Sequence, residues 1–97
     1  MESQFGQRIR ILRENQGFYL RQVAALLEMD TTQLCRIEKG LRQLKKEQIP
    51  IIAKVLKEDQ KELETLWLAD QVMQLLKDEP TAYEALKTVS MNIKYRK

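Results

Sequence analysis

Residues 31–40 read Thr31-Thr32-Gln33-Leu34-Cys35-Arg36-Ile37-Glu38-Lys39-Gly40, a short helix with one narrow apolar edge. Asp30 is a good N-cap, and Gln33 three residues later completes an Asp-x-x-Gln capping box, so the helix starts near Thr31. Leu34 and Ile37, three apart, define the buried stripe. Thr31, Thr32, Gln33, Arg36 and Lys39 lie largely off it and must face water or a partner. Gly40 sits just past the last turn, where a residue of positive φ ends a helix at little cost, and Lys39 suits the negative end of the dipole. Cys35 reads as a small residue in a half-buried slot. A stripe this narrow cannot fold alone, so the surrounding chain must hold it.

On the N-terminal side, Phe5, Ile9 and Leu12 at i, i+4, i+7 predict an amphipathic helix over 4–15, with Arg8, Arg10 and Arg13 mainly off the stripe. Gly17 is a left-handed cap for it. A second helix over 20–27 carries Val23, Ala24 and Leu27 inward, and its small Ala24 allows close approach to the helix that begins at Thr31. The connection Glu28-Met29-Asp30 has the length expected between two helices crossing steeply.

On the C-terminal side, a fourth helix begins at Lys46 or Glu47, with Ile49, Ile52, Ala53 and Leu56 inward and Pro50 tolerated in its first turn. Asp59-x-x-Glu62 repeats the capping-box signal and opens a fifth helix to about residue 76 or 77. That helix has two apolar stripes: Leu63, Leu66, Trp67 and Met73 on one, Leu68, Ala69, Val72, Leu75 and Leu76 on the other. A helix apolar on two sides must be buried on two sides, so the second stripe needs the last helix, a second chain, or both. Trp67 reads as a core or interface anchor. Asp78-Glu79-Pro80 predicts a turn with Pro at the first position of a sixth helix, where Ala82, Leu86, Val89 and Ile93 recur at i, i+4, i+7, i+11.

Composition narrows the function. Ninety-seven residues at 43% apolar and 32% charged make one soluble folded unit with a modest core. No apolar run approaches the ~20 residues needed to span a bilayer and no signal-peptide pattern opens the chain, so no membrane role and a cytoplasmic location are expected. A single cysteine and no histidine leave no zinc-site spacing and no Ser-His or Cys-His pair. No catalytic residue, metal or cofactor is therefore expected. Charge is unevenly spread. Residues 1–46 carry nine Lys and Arg against five Asp and Glu, residues 47–93 carry five against nine, and 94–97 add three cations. The basic part surrounds the helix that begins at Thr31, as a phosphate-facing surface requires.

The ordered series Ile9-Arg10-x-Leu12-Arg13, Val23-Ala24-x-x-Leu27, Leu34-x-x-Ile37-Glu38-Lys39-Gly40 and Ile52-Ala53-x-x-Leu56 resembles the XRE-type, phage-repressor-like helix-turn-helix family over about 5–63. The resemblance implies an all-α fold, a lambda-repressor-like helix-turn-helix domain of five helices, here with an added C-terminal helix. It divides the chain into a DNA-binding domain at 1–63, a helical extension at 64–93 that serves dimerisation, and a basic tail at 94–97. It also implies that the helix at 31–39 is the recognition helix of a dimer on palindromic DNA, with base-reading positions at Thr31, Thr32 and Arg36 and Gln33 close by. Three positions depart from the family pattern. Leu20, Arg21 and Gln22 stand where a Gln commonly anchors a phosphate, Leu44 replaces a frequent Pro, and Glu28 replaces the turn Gly, at roughly 1 to 2 kcal/mol if the backbone stays left-handed.

The residue chemistry agrees. Arg36 can donate two hydrogen bonds to guanine O6 and N7, Gln33 suits adenine, and a Thr methyl suits thymine. Alternatively Arg36 pairs with Glu38 or a phosphate and reads nothing. Arg21, Gln22, Lys39, Arg42 and Lys45 are the expected phosphate contacts, which set register without carrying sequence information. Leu68, Val72, Leu75, Leu76 and Leu86 are the expected dimer interface. The reading is a transcription regulator, either a repressor or an autoregulatory control protein like those of restriction-modification systems, with double-stranded DNA and a second copy as partners. The alternative is an antitoxin that grips a toxin through its last two helices and represses its own operon.

Overall fold

Four successive helices end on the same hydrogen-bond pattern, and that repetition sets the layout. The computed structural model describes residues 3–95. It contains α1 (Gln4–Asn15), α2 (Leu20–Leu26), α3 (Thr31–Glu38), α4 (Ile49–Leu56, preceded by a 3₁₀ turn at Lys46–Gln48), α5 (Gln60–Leu76) and α6 (Ala82–Lys94). After α1 to α4 a left-handed residue follows, at Gly17, Glu28, Gly40 and Lys57. The next amide then donates to the carbonyl five residues back: Phe18 to Arg13, Met29 to Ala24, Leu41 to Arg36 and Glu58 to Ala53. This stop satisfies orphan carbonyls and turns the chain sharply, which is how short helices pack around one core. Glu28 keeps the left-handed backbone at φ 56° despite its side chain.

The fold is all-α among the described residues, as expected. Val23, Ala24 and Leu27 of the second helical segment meet Leu34 and Ile37, while Phe5 and Ile9 lie beneath and Ile49, Ile52, Leu56 and Leu63 close the other side. Asp30 Oδ1 accepts the Gln33 amide at 2.7 Å, so half of the predicted capping box forms. The reciprocal bond from the Gln33 side chain is absent among the described residues. Asp59 caps α5 in the same way, through the Glu62 amide.

Three expectations need correction. Arg13 is buried rather than off the stripe, because it follows Ile9 by four and Phe5 by eight and so continues the same face. Leu44 lies in the loop but is 1% exposed, so the residue that stands for the family's Pro is part of the core. The sixth helix begins at Ala82, after Thr81, so Pro80 belongs to the turn and not to the helix. Lys94 ends α6, and the rest of the predicted basic tail, Arg96 and Lys97, lies outside the described residues.

The fate of the second stripe is decided too. The last helix of the same chain does not cover it: α6 buries no side chain, and Leu68, Val72, Leu75 and Leu86 are all exposed while Leu76 is half-buried.

Candidate nucleic-acid interface

On α3, Leu34, Ile37 and Glu38 point inward. At 100° per residue the opposite ridge is Thr32, Arg36 and Lys39, spaced i, i+4, i+7, and all three are exposed. Thr31 is exposed as well. Gln33 and Cys35 are half-buried, on the two flanks of the ridge. The ridge thus brings together two of the four expected base-reading residues, Thr32 and Arg36, with Lys39. Gln33 flanks it about 60° around the helix from Arg36, and Thr31 is about 100° around from Thr32 in the first turn.

Whether Arg36 is occupied depends on Glu38, and Glu38 is taken. Arg13 Nε donates to Glu38 Oε2 at 2.7 Å and its terminal nitrogen to Oε1 at 3.2 Å, while its other nitrogen reaches the Phe18 carbonyl at 2.9 Å. The hydrogen bonds to the Glu38 carboxylate raise the Arg13 pKa further above its already high value. Arg36 has no ion-pair partner among the described residues, and neither have Lys39, Arg42 or Lys45. A guanidinium on a helix ridge with no internal partner is free to donate both of its parallel N–H groups outward.

The backbone places this ridge firmly. A Cβ added to Gly6 would lie 2.5 Å from the carbonyl oxygens of both Ile37 and Glu38, so α1 rests directly on the end of α3. The exit loop carrying Arg42 and Lys45 is pinned at Leu44, whose side chain is in the core and whose carbonyl accepts the Trp67 indole N–H at 2.7 Å. Asp70, on the same helix as Trp67, accepts from the Ser3 hydroxyl at 2.6 Å and from the Gln4 and Phe5 amides at 3.0 Å, which caps α1 from across the fold.

At the start of α2, Gln22 Oε1 accepts the Tyr19 amide at 2.7 Å, which leaves its NH₂ free as a donor. The Arg21 guanidinium stacks 4.8 Å above the ring of Tyr19, itself 62% exposed. Both expected phosphate contacts of this helix are therefore exposed and held in place by Tyr19, a residue that sequence reasoning passed over.

Other supporting residues also escaped the sequence reading. Gly6 in the middle of an amphipathic helix was a usable signal of a close helix crossing. Leu44, a lone aliphatic between Arg42-Gln43 and Lys45-Lys46, was another. Asp70 and the Arg13–Glu38 pair had none, since each joins residues far apart in the chain.

Three comparisons bear on this arrangement. No curated protein is a significant match to the chain. The crystal structure of the restriction-modification controller protein C.AhdI from Aeromonas hydrophila is similar, with a TM-score of 0.57 and 31% identity over 63% of this chain and 88% of that one. A family model described as a helix-turn-helix domain matches residues 4–66, which take in α1 to α4, the outer ridge of α3 and the exit loop. With nearly two thirds of its length so matched, the chain belongs to the helix-turn-helix domain family.

Proposed function

We propose that this protein is a sequence-specific transcription regulator that binds a near-palindromic operator as a dimer, with one α3 ridge in each major groove. Its helix-turn-helix domain and its similarity to a restriction-modification controller support DNA-binding transcription regulation. The single observation that carries the finer reading is that Arg36 stands on the outer ridge with no internal partner, because Glu38 is held by Arg13. Arg36 is the residue for base discrimination, with Thr31, Thr32 and Gln33 around it. Arg21, Gln22, Lys39, Arg42 and Lys45 grip phosphates on either side. The protein acts in the cytoplasm, without enzymatic activity, as a repressor or autoregulatory control protein.

The dimer part of the reading is supported by the exposed stripe Leu68, Val72 and Leu75 on α5 and by Leu86 on α6, with Leu76 at its margin. Two recognition helices about 34 Å apart on a two-fold axis read half-sites one DNA turn apart. The antitoxin alternative uses the same stripe for a toxin, so self-association and toxin binding compete for it.

In vitro selection from random duplex DNA, followed by sequencing, tests the reading. The expected product is a near-palindrome with half-sites about 10 base pairs apart, centre to centre. Recovery of no enriched sequence refutes specific binding, and an enriched single half-site refutes the dimer.

A further inference from the structure

The helix α6 has no place in its own chain. It is 13 residues long, about 20 Å at 1.5 Å per residue, and it buries no side chain at all. Only Ala82 is half-buried; the rest of α6 is exposed, with Leu86, Val89 and Ile93 at 44, 51 and 66% along one face. The elbow before it explains why. Lys77 is extended and Asp78 is left-handed at φ 63°, so the chain leaves α5 at an angle instead of folding back along it. The radius of gyration records the result: 15.0 Å, where a compact chain of this length has about 12.5 Å.

The complement of that face is in the same sequence. On α5, Leu68, Val72 and Leu75, at i, i+4, i+7, form an exposed aliphatic strip that the elbow keeps out of reach of its own α6. Two strips that match in chemistry but cannot meet within one chain can meet between two. Resting on the dimer reading above, we propose that two copies exchange their α6 helices, each α6 lying along the α5 of the other. Reciprocal exchange about a two-fold axis closes on itself and leaves no open end for polymerisation. Side chains of this size bury on the order of 100 Å² each. The six named, from each chain, therefore bring the dimer to roughly 1,200 Å², the lower edge of stable interfaces. The arrangement also gives α5 two loads: its outer strip holds the partner, while Trp67 and Asp70 on its inner side hold the exit loop and the start of α1.

The test is directed disulfide formation in a Cys35→Ser background, where no native thiol remains. Two full-length chains of different mass are mixed, one with Val72→Cys or Leu68→Cys and the other with Val89→Cys or Leu86→Cys. All four positions are exposed in the single chain, so folding tolerates them. Mild oxidation is expected to give a mixed disulfide between the two masses, and the double variant on one chain is expected to give covalent dimers. A disulfide that closes within one chain overturns the exchange. So does a protein that sediments as a dimer yet forms no mixed disulfide in any pairing, and that outcome leaves the dimer reading standing. A monomer at all micromolar concentrations overturns both.

Discussion

Removing the Glu38 carboxylate should damage the fold far more than its single ion pair suggests. Arg13 and Glu38 are 9 and 8% exposed, and the carboxylate accepts two hydrogen bonds from the guanidinium, at 2.7 and 3.2 Å. Glu38→Ala leaves a guanidinium in a nearly closed site, and breaking a buried pair from one side costs about 3 to 5 kcal/mol. The third bond of Arg13, to the Phe18 carbonyl, recovers part of this, so about 3 kcal/mol is expected. For a domain of this size that corresponds to a fall in Tm of ~12 °C or more. The reference is Glu14→Ala, which removes an exposed i, i+4 pair with Arg10 and should cost no more than about 0.5 kcal/mol. Replacing both members, Arg13→Met with Glu38→Leu, should recover most of the loss, because no lone charge remains. Urea unfolding followed by circular dichroism at 222 nm measures all three. If Glu38→Ala falls within 1 kcal/mol of Glu14→Ala, the pair is not the buried link between α1 and α3 that the account requires.

The remaining predictions concern the turn, the loop and acid. Glu28→Gly should stabilise the protein by about 0.5 to 1 kcal/mol in the same unfolding assay, since it relieves a left-handed strain of about 1 to 2 kcal/mol and returns part of that as glycine entropy. Lys45→Ala should weaken binding to all duplex sequences alike and lower the slope of log K against log salt by about one, read from titrations at several salt concentrations. Glu58 is held below its ordinary pKa of 4.5 by the Arg8 guanidinium and then by the Asp59 amide. Its folded form binds the proton less tightly than the unfolded one, so its contribution is complete above pH 4.5 and is lost as pH falls through the lowered value. Glu58→Gln should flatten that part of the acid unfolding curve, measured as stability against pH, with its deficit against the unmodified protein present at pH 7 and vanishing as pH falls through the lowered value.

The local layer of this fold was legible because its signals are local. Asp30 and Asp59 cap the helices they precede, the stripes at Phe5–Ile9, Val23–Leu27 and Ile49–Leu56 are buried as spaced, and Gly17 and Gly40 take the left-handed backbone. What sequence did not disclose depends on partners brought together by the finished fold. Arg13 looks like one more surface arginine until Glu38, 25 residues later, is placed beside it. Asp70 looks like a solvated acid until α1 begins against it, 65 residues away in the chain. The exposure of α6 is set by one backbone angle at Asp78, a non-glycine residue whose sequence gives no warning of it. For the site, the ridge of Thr32, Arg36 and Lys39 follows from helical spacing, but the freedom of Arg36 does not. Only the geometry separates Glu38 from it.

The most direct test of the account is the Arg36→Ala variant titrated on its selected operator and on a scrambled duplex of the same length and composition. The account predicts a loss of about 1 to 3 kcal/mol on the operator, with relaxed selectivity at one base position, and almost none on the scrambled duplex. Equal losses on the two duplexes would contradict it, because they would mean that the Arg36 guanidinium touches only the phosphate backbone.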